Sequence, residues 1–206
     1  MPASSVDAAI SNFRDRVLPS LRTQAGFLGA VAAYDGENGE GVTAGYWETK
    51  AALEATRPMA AAGRAEASQL PGVAIVDVDE LEILLQDRVA TPRANTFLRG
   101  TDLKGAPDKI DAALALLRDT GLPAVKARPG YRALIVLANR ATGRMIITSS
   151  WETAAERGPA DRGADLRKRI LEAAGASEAR VALAEVLLSE LSAAVQSAGS
   201  AAPASS

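Results

Sequence analysis

The chain has 206 residues, of which 48% are hydrophobic, 23% charged and 4% aromatic, and its 23 basic and 25 acidic groups leave a formal charge of −2. It contains neither cysteine nor histidine, which excludes disulfides, thiolate metal sites, cysteine nucleophiles, Ser/His/Asp triads and histidine-ligated zinc or haem. The balanced charge gives no net attraction to a phosphate backbone, so nucleic acid is not an expected partner; no apolar run is long enough for a bilayer and residues 1–26 lack a signal-peptide pattern, so a cytoplasmic location without a membrane partner is expected.

Ile10, Phe13, Val17 and Leu21 recur at helical spacing, which predicts an amphipathic helix over 6–24, kinked at Pro19 and stopped by Ala25-Gly26. Phe27 to Tyr34 and Gly41 to Trp47 flank Asn38-Gly39 and read as a β-hairpin. A helix is expected over about 49–68, with Pro58 and Gly63 obscuring its limits, and a strand over Val73 to Leu85. Asn95 to Leu103 reads as a strand that leads through Gly105-Ala106-Pro107 into a helix over 108–128, kinked at Pro123 and stopped by Pro129-Gly130. A second hairpin follows, Tyr131 to Ala138 and Met145 to Trp151 around Thr142-Gly143, then a helix over about 153–175 containing Gly158, Pro159 and Gly163, and a strand from Arg180 to Leu191. The Ala/Ser/Gly-rich tail 192–206 is expected to be disordered.

The two halves repeat. Trp47-Glu48-Thr49 recurs 104 residues later as Trp151-Glu152-Thr153, and the same offset maps Gly26 onto Gly130, Leu18-Pro19 onto Leu122-Pro123, Arg14-Asp15 onto Arg118-Asp119 and Asp7-Ala8-Ala9 onto Asp111-Ala112-Ala113. Val78 to Leu85 resembles Val181 to Leu188 at an offset of 103. The expected architecture is α+β: two tandem ferredoxin-like βαββαβ units, residues 1–90 and 91–191, each a four-stranded antiparallel sheet with two helices on one face, their open faces buried against each other. The counterpart of Asn95 to Leu103 would fall before Met1, so the first strand of copy one is expected to be missing, through a start codon placed too late or a true loss.

The order helix, Leu-Pro, Ala-Gly-Phe or Pro-Gly-Tyr, hairpin, Trp-Glu-Thr, met twice across residues 6–191, resembles the antibiotic biosynthesis monooxygenase (ABM) family of dimeric α+β barrels. Family members usually carry one unit per chain, so the resemblance implies a pseudo-dimer closed within one chain, with further oligomerisation left open. It implies a cofactor-independent monooxygenase that uses O2 on a small aromatic compound such as a quinol, anthrone or phenol. The haem-degrading branch needs a histidine ligand and is set aside. Trp47 and Trp151 match the family tryptophan on the third strand, and Asn95 stands where haem-degrading members place an asparagine; by alternation Asn95, Phe97 and Arg99 share a face. On this view the tryptophans pack the ring, Arg99 stabilises a developing oxyanion and Asn95 orients the substrate oxygen. The departures are Thr43 and Ile147, four residues before the tryptophans, where the anthrone-oxygenase pattern has a polar partner.

Each residue also has a plainer role. The tryptophans fit a packed core next to helix-capping Thr49 and Thr153, Asn95 fits a loop, and Arg99 fits an ion pair with Asp79 or Glu82. The acidic run Asp77, Asp79, Glu80, Glu82 could be a magnesium site but alternates with valines as a half-solvated strand does. No general base is evident beyond a carboxylate or Tyr46, and a non-catalytic binding or structural barrel is the competing expectation.

Overall fold

The computed structural model describes residues 3–192, and the expectation for the tail therefore falls almost wholly outside the described residues. The chain forms a curled seven-stranded antiparallel sheet in the order β2-β1-β7-β4-β6-β5-β3, with helices packed on one face. Its strands are β1 (Phe27–Asp35), β2 (Glu40–Trp47), β3 (Glu82–Arg88), β4 (Phe97–Lys104), β5 (Tyr131–Asn139), β6 (Arg144–Trp151) and β7 (Ala179–Leu191). The helices are α1 (Ala3–Asn12), α2 (Leu18–Arg22), α3 (Lys50–Ala55), α4 (Arg57–Ala67), α5 (Ile110–Leu116), α6 (Leu122–Lys126), α7 (Ala154–Arg157) and α8 (Ala164–Ala174).

The kinks expected at Pro19 and Pro123 take the same form. A five-residue π turn, Phe13–Val17 or Leu117–Gly121, precedes each Leu-Pro pair, and Leu18 and Leu122 donate their N–H to the carbonyls of Phe13 and Leu117. A proline supplies no N–H and its ring crowds the carbonyl of the preceding turn, so widening one turn lets the helix continue through it. Glycines with φ of 75°, 68°, 71° and 75° at Gly26, Gly39, Gly130 and Gly143 make the turns into and within the hairpins. Both hairpins then run in matching register, with Phe27 opposite Trp47 and Tyr131 opposite Trp151.

The hydrophobic core belongs mainly to the second half. Ile110, Ala113, Leu114 and Leu117 from the first helical layer, Ile170 and Ala174 from α8, and Leu103, Leu134, Val136, Met145, Ile147 and Trp151 from the sheet form one buried cluster. The first half contributes smaller buried groups such as Ala30, Ala32 and Ala33 besides Leu18 and Leu21.

Four expected elements differ. The helix over 49–68 is divided at Thr56, ahead of Pro58, and that over 153–175 shrinks to one turn, α7, and the separate α8, because Gly158 and Gly163 adopt φ of 72° and 78°. The strand expected from Val73 is laddered only from Glu82 to Arg88, where β5 supplies partners. Its counterpart β7 spans thirteen residues because β4 pairs with its first half and β1 with its second. Among the described residues β2 and β3 are the two sheet edges, and no strand lies between them. Residues 77–80 are held by side chains instead: Arg144 meets Asp77 at 2.6 Å, Asp79 at 3.3 Å and Asp102 at 2.7 Å, and Arg57 meets Glu80 at 2.6 Å. Finally, β4 begins at Phe97, so Asn95 does not share its alternation; it occupies an exposed turn at φ 64°, with its N–H bonded to the Val186 carbonyl.

Candidate functional site

In the second half, β4 and β6 place Phe97 opposite Trp151 and Arg99 opposite Ser149 on the face that packs against the helices, as Leu103 opposite Met145 does. Trp151 has no exposed surface, its indole N–H donates to Ser149 Oγ at 3.0 Å, Tyr131 meets it edge-on at 6.0 Å, and the Arg128 guanidinium lies 4.2 Å over its ring. The Tyr131 hydroxyl donates to Asp87 at 2.8 Å, and burial and that carboxylate both raise its pKa.

Arg99 is gripped by the loop between α7 and α8. Its two terminal nitrogens donate to the carbonyls of Arg157, Gly158, Pro159, Ala160 and Arg162. Burial, then the charges of Arg128, Arg167, Arg157 and Arg162, lower its pKa to about 10, so it stays cationic at neutral pH. The ion pairs considered for it go elsewhere, Asp79 to Arg144 and Glu82 to Arg140. Beside this loop is a hollow of about 340 Å³ lined by Glu37, Ala154, Ala155, Arg157, Gly158, Pro159, Ala160 and Leu183.

The first half differs at matching positions. Trp47 is half-buried, packs edge-on against Phe27 at 5.3 Å, and stands over Gly45 where the second half has Ser149. At the following residue, Glu48, opens a hollow of about 390 Å³ lined by Gln24, Ala25, Gly26, Glu48, Thr49, Ala52, Ala55 and Thr56. In the second half the positions of Gln24 and Ala52 carry Arg128 and Glu156, whose larger side chains occupy the equivalent ground; a Cβ on Gly130 would run into the Glu156 carboxylate. Thr153 and Glu156 form a reciprocal capping box there, with bonds of 3.1 Å and 3.2 Å, whereas Thr49 caps α3 alone.

Among the described residues Glu48 is the one ionisable group lining the first-half hollow. Its counterpart Glu152 is held by Arg132 and, at 2.9 Å, by Arg93, and these cations lower its pKa. Leu28 replaces Arg132 in the first half, and no ion pair to Glu48 forms among the described residues. Tyr46, the other base considered, has its pKa raised by burial, with the charge of Arg88 pulling weakly the other way, which opposes a phenolate at neutral pH.

Of the four residues singled out from sequence, Phe97 links two: it pairs with Trp151 and neighbours Arg99 on one face, while Asn95 is in the turn before the strand and Trp47 is on the far edge of the sheet. Glu48 and Gln24 were not singled out. Their signal was available in the repeat, as the places where one copy has lost an arginine or a partner.

No protein-family model matches the chain. An uncharacterized protein of Mycobacterium tuberculosis strain H37Rv is 29% identical over 189 residues, 91% of this chain and 80% of its own length. A second from that strain is 36% identical over 58 residues, 28% of this chain and 26% of its own length. Among solved structures, the fold is similar to an anthrone oxidase-like protein (TM-score 0.66, 14% identity, 90% of this chain and 88% of that one). It is also similar to proteins provisionally named monooxygenases from Fusobacterium nucleatum (TM-score 0.64, 13% identity, 92% and 88%) and Lactobacillus acidophilus (TM-score 0.61, 13% identity, 92% and 89%). The chain therefore shares the fold of these three structures.

Proposed function

We propose that the chain is a cofactor-independent monooxygenase for a small aromatic compound of the quinol, anthrone or phenolic type, built from two tandem ferredoxin-like units, 1–90 and 91–191, that pair as an intrachain pseudo-dimer. Among the described residues no strand fills the gap between β2 and β3, which is where the sheet order would put the opening strand of the first unit. The observation that carries the functional proposal is the Glu48 carboxylate, without an ion pair among the described residues, on an open hollow, where the second unit has a filled site and a neutralised Glu152.

In this chemistry the substrate is its own reductant. Glu48 removes a proton from the ring system, and the resulting carbanion or phenolate adds O2 as a hydroperoxide. Loss of water leaves a carbonyl, so one oxygen atom enters the product, the other leaves as water, and every electron comes from the substrate. Ala25, Ala52 and Ala55 supply the apolar wall of the hollow, and Trp47 adjoins Glu48 in the chain.

Specific observations favour a second reading, a non-catalytic binding barrel. Trp151 is sealed in with its N–H satisfied, and every terminal nitrogen of Arg99 is bonded to backbone, which suits structural roles. Oxygen consumption over a panel of quinols, anthrones and phenols separates the two. Turnover lost in Glu48→Gln and reduced in Trp47→Phe, at unchanged melting temperature, supports the oxygenase. No turnover from folded protein, or turnover insensitive to Glu48, rejects it.

A further inference from the structure

Eight of the chain's arginines (Arg14, Arg22, Arg57, Arg93, Arg132, Arg140, Arg144 and Arg180) meet a carboxylate. Five others gather around the α7–α8 loop, and among the described residues none of them does. Arg99 lies at the centre, close enough to Arg128, Arg157, Arg162 and Arg167 for each to act on it electrostatically, and Arg162 acts on Arg128 as well. Like charges brought this close in a partly desolvated place repel, and a fold keeps such a cluster without internal counter-charges only at a cost.

The acids available locally do not neutralise it. The Glu156 carboxylate is turned to the Thr153 N–H and hydroxyl, at 3.1 Å and 2.9 Å, and among the described residues Asp161 and Asp165 make no ion pair. Glu37, which lines the 340 Å³ hollow, makes none either among the described residues.

The four outer arginines keep donors to spare. Arg128 and Arg162 each donate to the Glu156 carbonyl, Arg157 to the Ala184 carbonyl at 3.4 Å and Arg167 to the Ala160 carbonyl at 3.1 Å, one bond apiece. A guanidinium has five N–H donors in a planar fork. Arg157 lines the hollow and lies 5.9 Å over the Phe97 ring, and Arg162 is exposed. The loop is itself anchored on Arg99, so the forks are presented from a fixed frame.

We propose that this face is a binding site for a polyvalent oxyanion group of a small molecule, a phosphoryl or polycarboxylate group, taken by Arg157, Arg162 and Arg167 with Arg128 beside them, and that Arg99 acts as a positioning residue which holds the loop. The hollow is too small to accept a nucleic-acid strand, and the charge is confined to one loop in a chain of net charge −2. The site is separate from the Glu48 hollow, and its occupancy does not depend on oxygenase activity.

The test is calorimetric titration of the full chain with inorganic pyrophosphate and, separately, citrate, at constant ionic strength set by chloride. Saturable one-to-one binding of either is expected, weakened about tenfold or more in Arg162→Gln/Arg167→Gln. The stronger of the two ligands identifies the group. Because these substitutions remove mutual repulsion and only one backbone bond each, the ligand-free variant should melt no lower than the parent. A merely structural role for the two arginines predicts a lower melting temperature instead. Arg162→Lys/Arg167→Lys keeps charge without the planar fork and should bind with intermediate strength. Absence of saturable binding, equal binding by the glutamine variant, or tighter binding of a short single-stranded oligonucleotide than of either small anion would overturn the proposal.

Discussion

The Trp151 indole donates to the hydroxyl of Ser149 at 3.0 Å, deep in the sheet–helix interface. At the matching place in the first half, Trp47 faces Gly45, and a Cβ built there would stand 3.4 Å from the indole nitrogen. Ser149→Ala leaves a buried donor unpaired and is expected to cost about 1–3 kcal/mol. Gly45→Ser should be neutral or stabilise by up to about 1 kcal/mol, since a strand glycine carries an entropic cost and the new hydroxyl faces a waiting donor. Urea unfolding of both variants measures this; a neutral Ser149→Ala would show that the hydrogen bond is not what holds the indole.

Arg99 fastens the α7–α8 loop through five backbone carbonyls. Arg99→Met removes those bonds while keeping most of the side-chain volume, so the loop should open locally without global unfolding. Limited trypsin digestion is the readout. Cleavage after Arg157 and Arg162 should become rapid in the variant and stay slow in the parent.

Asp35 joins the two halves. Its Oδ1 accepts from the Glu37 and Asn38 N–H groups and its Oδ2 from the Asn38 amide and from the Leu183 N–H on β7. Burial pushes its pKa up, but these hydrogen bonds together outweigh burial and hold it below the ordinary 3.8. With a folded pKa below the unfolded one, the unfolded chain binds the proton more readily. The stabilisation is therefore fully present above the unfolded value and is lost as the pH falls through the folded one, below about pH 4. Asp35→Asn should lower stability at neutral pH and flatten the acid limb of the stability curve; an unchanged limb would assign acid sensitivity to other carboxylates.

Val76 is 89% exposed and Val78 56% exposed, on the extended segment that has no ladder partner. Replacing both by threonine should change stability by no more than about 0.5 kcal/mol per site in this chain. In a form of the protein where a strand fills the gap between β2 and β3, the same changes should cost more, because the valines would then be packed. Chemical denaturation of the two forms side by side decides it.

How far the sequence could be read depended on the range of the interactions. Hairpins, Leu-Pro kinks, glycine turns and the Thr49 and Thr153 caps are set by contacts within a few residues, so they were legible and reappear 104 residues apart in the structure. The broken helix after Arg157 was blurred because Gly158 and Gly163 are permissive rather than decisive, and what settles them is Arg99, about sixty positions away. The strand expected from Asn95 begins at Phe97, because its start is determined by which partners β6 and β7 present.

Sequence alone determined the alternation of elements, the repeat and the exclusion of cysteine and histidine chemistry, since composition and local periodicity need no partner to be read. Tertiary structure decided that Trp151 is sealed while Trp47 is only half-buried, that Arg128 and Glu156 fill in one half what Gln24 and Ala52 leave open in the other, and that five arginines converge on one loop. Those outcomes depend on which side chains distant in the chain share a volume and a field, and that is fixed only when the sheet has brought its strands together.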